Sequence, residues 1–558
     1  MFSPVAGPSR IPDTPRPTKQ ARRDIHHLDV AGSTLAGMQP GPGLKALPDD
    51  VLLLIIGLID VEDIIALRLS SKRFGPVTRL RWVWAEALTR HVLDKGLPVP
   101  APVRDLKTLS SKELENRTRH ATAFQRNWTS VQPAPKRTFE FAAGNDGMDD
   151  VPEPVTHVRF LPGTDGRLVL SVQQNRVVCW EVPLGGEDAF IVAERHVPGG
   201  TICDVLVNED PTNHATVVVA CARRPEFHPP TSQMREITVE AWHMDKFYGT
   251  FTTLRSDTLL ENLRGRLLPL MRLCGDVALI GDPVAVWNWR LPGTYTMLNP
   301  HNIHASPVPD LLLAVKPVRD YLIVVRQSHL QLLPLPSFDA VGKPVPRRRD
   351  AGAVYVHLPD AASEATIVVH PLTDAEREKW LFDPVTVVLR IVNDSGEAAI
   401  RTFDIAPRAA NLGAGEPPLC CAGCEADRAR VLVQQLPFRP PTAPSVTVPA
   451  LASAGRLVAS TGCAGKGLWL ETQTVRAKRE TYCVRAFIGF DVGAKYVAEE
   501  GRWRFGFSIR TKPMYKARMG TGEVAQRKFR IQDVAMEDTV GRIAVAGQDG
   551  RVMVMDYA

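Results

Sequence analysis

Nine basic residues crowd into positions 501–530: Arg502, Arg504, Arg510, Lys512, Lys516, Arg518, Arg527, Lys528 and Arg530, against the single acid Glu523. Guanidinium forks grip carboxylates and phosphates through paired N–H donors, so the chemistry on offer is the reading of anions. Rings are interleaved with the charges at Trp503, Phe505, Phe507, Tyr515 and Phe529. Successive side chains of a strand alternate, so Arg502-Trp503-Arg504-Phe505 would turn arginines to one face and rings to the other. Arg502, Arg504, Arg510, Lys512 and Arg518 are the candidate ligand contacts. A surface that reads carboxylates or phosphates is the functional reading, and nucleic acid ranks behind it. A solvated strand face backed by core aromatics explains the same residues more plainly. The segment sums to +8 in a chain of +6, so the remaining residues net −2.

Other motif outlines fail on their chemistry. Cys420-Cys421-Ala422-Gly423-Cys424 is half a zinc site, but no second Cys/His pair follows at a workable distance. Gly462-Cys463-Ala464-Gly465-Lys466-Gly467 has the outline of a phosphate loop. Its glycines are too closely spaced and no Ser or Thr follows the lysine, so the phosphate and magnesium contacts are missing. His26-His27 falls in the N-terminal tail, and His301 and His304 stand near no acid. Neither a Gly-x-Ser-x-Gly nor a His-Glu-x-x-His pattern occurs. The expectation is a protein that is not an enzyme, with no catalytic residue, no metal ligand and no cofactor.

The elements that would position such residues follow from composition. With 558 residues the chain is too long for one ordinary core. Its 46 prolines argue against a mostly helical protein and for many turns. The N-terminal stretch shows no apolar leader segment, and nine cysteines form no even framework, so a reducing intracellular compartment is expected. The longest apolar run, Val51 to Ile59, falls far short of the ~20 residues a membrane span requires.

Residues 1–43, rich in Pro, Gly, Ser and Arg, read as a disordered tail. At 44–90 the chain turns helical. Leu47-Pro48-Asp49-Asp50 starts a helix whose VLLLIIGLI segment is apolar on every side, and Asp60 is placed to cap a second helix that Gly75-Pro76 would stop. A third is expected over 77–88. One apolar stripe suffices for a soluble helix, so this unit carries more apolar surface than it can hide. Residues 91–135 hold a proline-rich connector and a helix opened by the capping box Ser110-Ser111-Lys112-Glu113, with Leu114, Thr118, Ala121, Phe124 and Trp128 at helical spacing. This helix reads as a strut between domains.

From 136 to 558 the apolar period becomes two. Seven short apolar pieces, each with a large residue near its middle, recur at 177–182, 239–244, 284–289, 330–335, 400–405, 467–472 and 552–557. That repetition suggests a ring of about seven units, an all-β propeller with RTFEF at 137–141 pairing with the last strand to close it. A large all-β sandwich pair is the competing fold. The expected class is therefore α+β and multidomain, with an all-α N-terminal part and an all-β C-terminal part.

Residues 47–84 resemble the F-box motif. The matching positions are Leu47-Pro48; Val51, Leu52 and Ile55; Asp60-Val61-Glu62-Asp63; Ile64, Leu67 and Leu69; Ser71-Lys72-Arg73-Phe74; and a tryptophan at Trp82 or Trp84, with Trp84 preferred. The C-terminal part resembles WD-repeat-type propellers only loosely, lacking regular Gly-His and Trp-Asp pairs. The F-box resemblance implies that Leu47, Pro48, Val51, Leu52, Ile55, Phe74 and Trp84 meet the linker subunit of an SCF ubiquitin ligase, and through it cullin. The rest of the chain would then select a protein substrate. The rival expectations are an F-box scaffold that never joins a ligase and a propeller enzyme with a helical cap.

Overall fold

The computed structural model describes residues 44, 47–100, 106–142, 153–184, 187–223, 236–259, 270–281, 284–291, 295–298, 310–338, 344–345, 354–358, 360–372, 374–392, 397–409, 438–439, 444–449, 455–459, 465–477, 480–497, 502–509, 515–519 and 531–558. The expected tail at 1–43, the cysteine cluster at 420–424, and Arg510 and Lys512 lie outside these. The chain divides into two compact units, Met1–Leu54 and Ile55–Ala558. Among the described residues no helix is long and apolar enough to cross a membrane.

Helix α1 (Asp49–Ile56) begins where Pro48 precedes two acids that suit the positive end of the helix dipole, with Leu52 N bonding Pro48 O at 3.1 Å. Helix α2 (Val61–Ser70) starts at Asp60, which sits in the expected cap position but makes no side-chain cap bond. It runs out at Ser70, within the expected Ser70–Phe74 stretch, because Ser71 is extended, and Phe74–Val77 forms a separate turn, α3, that contains Gly75-Pro76. Helix α4 (Arg81–Leu88) starts later than expected, after extended Leu80, and runs into a π-turn over Thr89–Leu93.

Helix α5 (Ser111–Thr129) carries the expected capping box, and Leu114, Thr118, Ala121, Phe124 and Trp128 form its buried face. It spans no gap between domains. α4 packs against it. Phe124 and Trp128 enter a core with Ile543, Met555 and Tyr557 of the last sheet. Asn127 donates to Tyr557 O at 2.7 Å, and Trp128 Nε1 donates to Asp491 at 2.9 Å. Gly541, at φ +71°, is required here: a Cβ on it would meet the Phe124 ring at 2.4 Å.

Antiparallel sheets make up the rest. The first two groups (157–196 and 200–259) join through a parallel bridge between Glu194 and Thr250 into one eight-stranded sheet. Further sheets cover 270–297, 312–357, 362–449, 455–519 and 531–556. The opening strands of these seven groups are His157–Phe160, Gly200–Val207, Leu270–Cys274, Leu312–Val318, Ala362–Val369, Gly455–Ala459 and Ile531–Glu537. Each touches the next in chain order, and the last touches the first. Six of the seven recurring pieces are third strands of successive groups; the sixth, at 467–472, lies on a second strand, Lys466–Ala477.

The expected closing pair forms: Arg137–Ala142 runs antiparallel to Arg551–Asp556, with Phe139 opposite Val554. Arg542, fully buried, fastens this junction. Its guanidinium pairs with Asp556 at 2.5 and 3.1 Å and donates to the carbonyls of Gly166, Val182 and Pro183 in the first group. Toward the other end of the same strands, Asp533 accepts from Val158 N at 3.1 Å and pairs with Arg159.

Candidate functional site

The N-terminal helices offer the first candidate surface. In Met1–Leu54, Pro48 and Leu54 are exposed, Leu47 and Val51 are half-buried, and Leu52 is buried. In Ile55–Ala558, Ile55 is half-buried, while Phe74 and Trp84 are inside. Trp84 Nε1 donates to Thr78 O at 2.8 Å, and Arg68 lies 5.5 Å over its ring. Arg68 in turn grips Glu115 of α5 at 2.8 and 3.0 Å and donates to Thr78 O at 2.9 Å. This ion pair welds α2, α3 and α5 into one layer, and Trp84 is part of its filling. Trp84 and Phe74, like Leu52, are interior residues of the isolated chain.

The outward residues are different ones. Leu69 is 82 % exposed and Trp82 49 %, with Leu58 and Leu80 also exposed. Trp82 precedes Trp84 by two positions, about 200° around a helix, so when one faces in the other must face out. His91, behind this layer, sits 3.1 Å from Ile59 O. Burial, helped by Lys95, pulls its pKa below the usual histidine value, while Asp60 acts the other way.

The basic segment is the second candidate. Strand Arg502–Ile509 pairs with the long strand Glu480–Val497, placing Arg504 opposite Lys495, Trp503 opposite Tyr496 and Arg502 opposite Val497. Arg502, Arg504 and Lys495 are exposed, whereas Trp503 and Phe505 are half-buried, which is the alternation read from the sequence. Trp503, Tyr496 and Trp380 pack against one another with centroids 4.7–5.7 Å apart, Trp380 meeting the other two edge to face. Arg518 lies on Tyr515–Met519, which pairs farther along the same long strand. Lys495 had no sequence signal, since only strand register brings it opposite Arg504.

Among the described residues one cluster has the composition of a hydrolytic triad. Asp310 Oδ2 and Ser328 Oγ lie 2.6 and 2.9 Å from His329 Nδ1. Both thus occupy the same ring nitrogen, and Nε2 faces Gln331 at 2.5 Å. A relay needs the serine on one nitrogen and the acid on the other. Burial also lowers the pKa of His329, with Asp310 opposing and Arg326 and His357 assisting. The cluster is a buried polar knot. No group of three His, Cys, Asp or Glu able to hold a metal occurs among the described residues.

No family model matches this chain, and no curated protein does.

Proposed function

We propose that the chain is a non-enzymatic adaptor of an SCF-type cullin–RING ubiquitin ligase, docking through its short N-terminal helices and holding a protein substrate on a seven-bladed β-propeller. Support for the propeller comes from the cyclic succession of opening strands and from the strand 137–142 that completes the last sheet from the chain's other end. Mechanistically the protein contributes proximity: two binding surfaces on one chain raise the effective concentration of substrate at the ligase. Arg502, Arg504 and Lys495 are the surface offered to an acidic or phosphorylated substrate segment.

The observation that carries the docking half is the outward display of Leu58, Leu69 and Trp82 on a helical layer whose interior is already filled. Large apolar groups in that state mark a surface that another protein covers. The F-box resemblance of residues 47–84 names the partner class as the ligase's linker subunit. Calorimetry with purified linker subunit tests it. Leu69→Asp with Trp82→Ala should weaken binding by tenfold or more, and undiminished affinity overturns the docking assignment. Recovery of linker subunit without cullin from cells would favour a ligase-independent scaffold instead.

A further inference from the structure

Two of the arginines buried in the β-part are held by carboxylates: Arg176 pairs with Glu194 at 2.5 Å, and Arg542 with Asp556. Arg390, only 5 % exposed, is held differently. Its Nη1 donates to Ser363 Oγ at 3.0 Å, and that hydroxyl donates in turn to Arg390 O at 3.1 Å. Nε and Nη2 are buried and meet no acceptor among the described residues. These two nitrogens share one edge of the guanidinium, where their N–H bonds run parallel. That edge is the one that grips two oxygens of a carboxylate or phosphate. A charged donor kept from water without an acceptor is costly, so an unanswered fork in the interior calls for a ligand.

Strand register puts the cation there. Arg390 lies on Val385–Val392, opposite Glu364 of Ala362–Val369 and Ile400 of Ala398–Pro407. Residues directly opposite share a face, and on this face Val388 and Ile400 pack with Phe490 and Val492 of the next group. The register shifts between Ala362 and Glu364, which leaves Ser363 as the extra residue of a bulge. Ser363 is exposed, so the fork lies one side chain below the surface and a small ligand has a way in. The place is distinct from the basic segment. Arg390 pairs near the start of Ala362–Val369, whereas His370, just past its end, is the residue that meets Phe505, at 6.4 Å. Six residues of strand separate the two ends by roughly 20 Å.

We propose that Arg390 anchors an oxyanion site, taking one phosphate or carboxylate group on its Nε–Nη2 edge with Ser363 at the mouth. The site is independent of the ligase reading and stands or falls without it.

Calorimetry and thermal unfolding of the full chain, in buffers matched with chloride, are the test. Inorganic phosphate, acetate and acetyl-phosphoserine amide are the probes; they separate a free phosphate ion from a carboxylate and from a phosphate carried on a protein side chain. Binding of at least one is expected, and the tightest names the source. Phosphate stabilises folded proteins in general, so the readout is the difference between the wild type and Arg390→Met. The variant should lose at least tenfold in affinity, together with an anion-dependent rise in Tm of about 2 °C at about 20 mM ligand. In chloride alone it should melt no lower than the wild type, since methionine removes a buried charge without stranding one. Arg390→Lys keeps the charge but not the fork and should bind at least tenfold more weakly as well. A wild type that binds none of the three probes overturns the proposal, as does binding that survives both substitutions. So does a Tm that falls in Arg390→Met in every buffer, because Glu364 or another group of the fold would then already hold the cation.

Discussion

The short helices of residues 55–93 and the junction between the first and last sheets solve opposite problems. The helices carry more leucine than their interior holds, and Leu58, Leu69 and Leu80 stay outside while Val83, Trp84 and Leu88 fill the layer. At the junction the excess is of charge: Arg542, Asp533 and Asp556 are buried beside valines and isoleucines. Surplus apolar surface outside can be relieved by another molecule. Surplus charge inside must be satisfied by the fold itself, and each donor named at Arg542 has an acceptor. The first pattern is the one the proposed docking would use; the second belongs to assembly of the sheets.

The sharpest way to break that contrast is to remove the buried cation. Arg542→Ala leaves Asp556 and three carbonyls facing an empty site, and losing one partner of a buried pair costs about 3–5 kcal/mol. Urea denaturation should show a loss of that size. Exchanging Arg542 and Asp556 together for apolar residues should cost much less, since no charge is then stranded. A single variant as stable as the wild type would mean the junction is held by packing alone.

A half-buried histidine gives the intermediate case. His370 Nε2 lies 3.1 Å from Thr386 Oγ1, which donates to Asp404 at 3.0 Å. Burial, with a smaller contribution from Lys316, lowers the His370 pKa from 6.5 to about 4. The fold therefore favours neutral imidazole, so its share of stability is intact above pH 6.5 and is lost as the pH falls from 6.5 toward about 4. Asp404, pushed up by burial, has the opposite sign: its share is present in acid and disappears as the pH rises through its folded value. Melting temperatures at pH 7 and 5 should therefore diverge less in His370→Gln than in the wild type. Equal divergence would remove His370 as the cause.

How much of this could be read beforehand depended on whether the determinant was local. The α5 stripe was legible because 3.6-residue spacing alone sets which side chains share a face. The pair at 137–142 followed from reading the β-part as a ring, and the strand does pair with Arg551–Asp556. The piece at 467–472 matched the repeat yet falls on a second strand, since any inner strand tolerates a central aromatic such as Trp469. Between Trp82 and Trp84 the neighbours offer no choice; the hydrogen bond to Thr78 O, set by the α3 turn, decides it. Arg542 and Lys495 were invisible because their partners lie on other strands and only register brings them together.

The smallest expected effect is also the one that separates docking surface from core within the helices. Leu88 is fully buried in α4 and Leu69 is almost wholly exposed in α2, although both are leucines of short amphipathic helices. Leu88→Ala should cost about 2–5 kcal/mol by lost transfer energy and the cavity left behind. Leu69→Ala should stay within about 0.5 kcal/mol, as substitutions at exposed sites do. Thermal unfolding of the two variants side by side measures the difference. If Leu69→Ala proves as damaging as Leu88→Ala, then Leu69 is covered within the monomer and is no longer available to a partner. If it is neutral in the isolated chain but destabilising in complex with linker subunit, the leucine belongs to the interface, because only binding then gives it anything to lose.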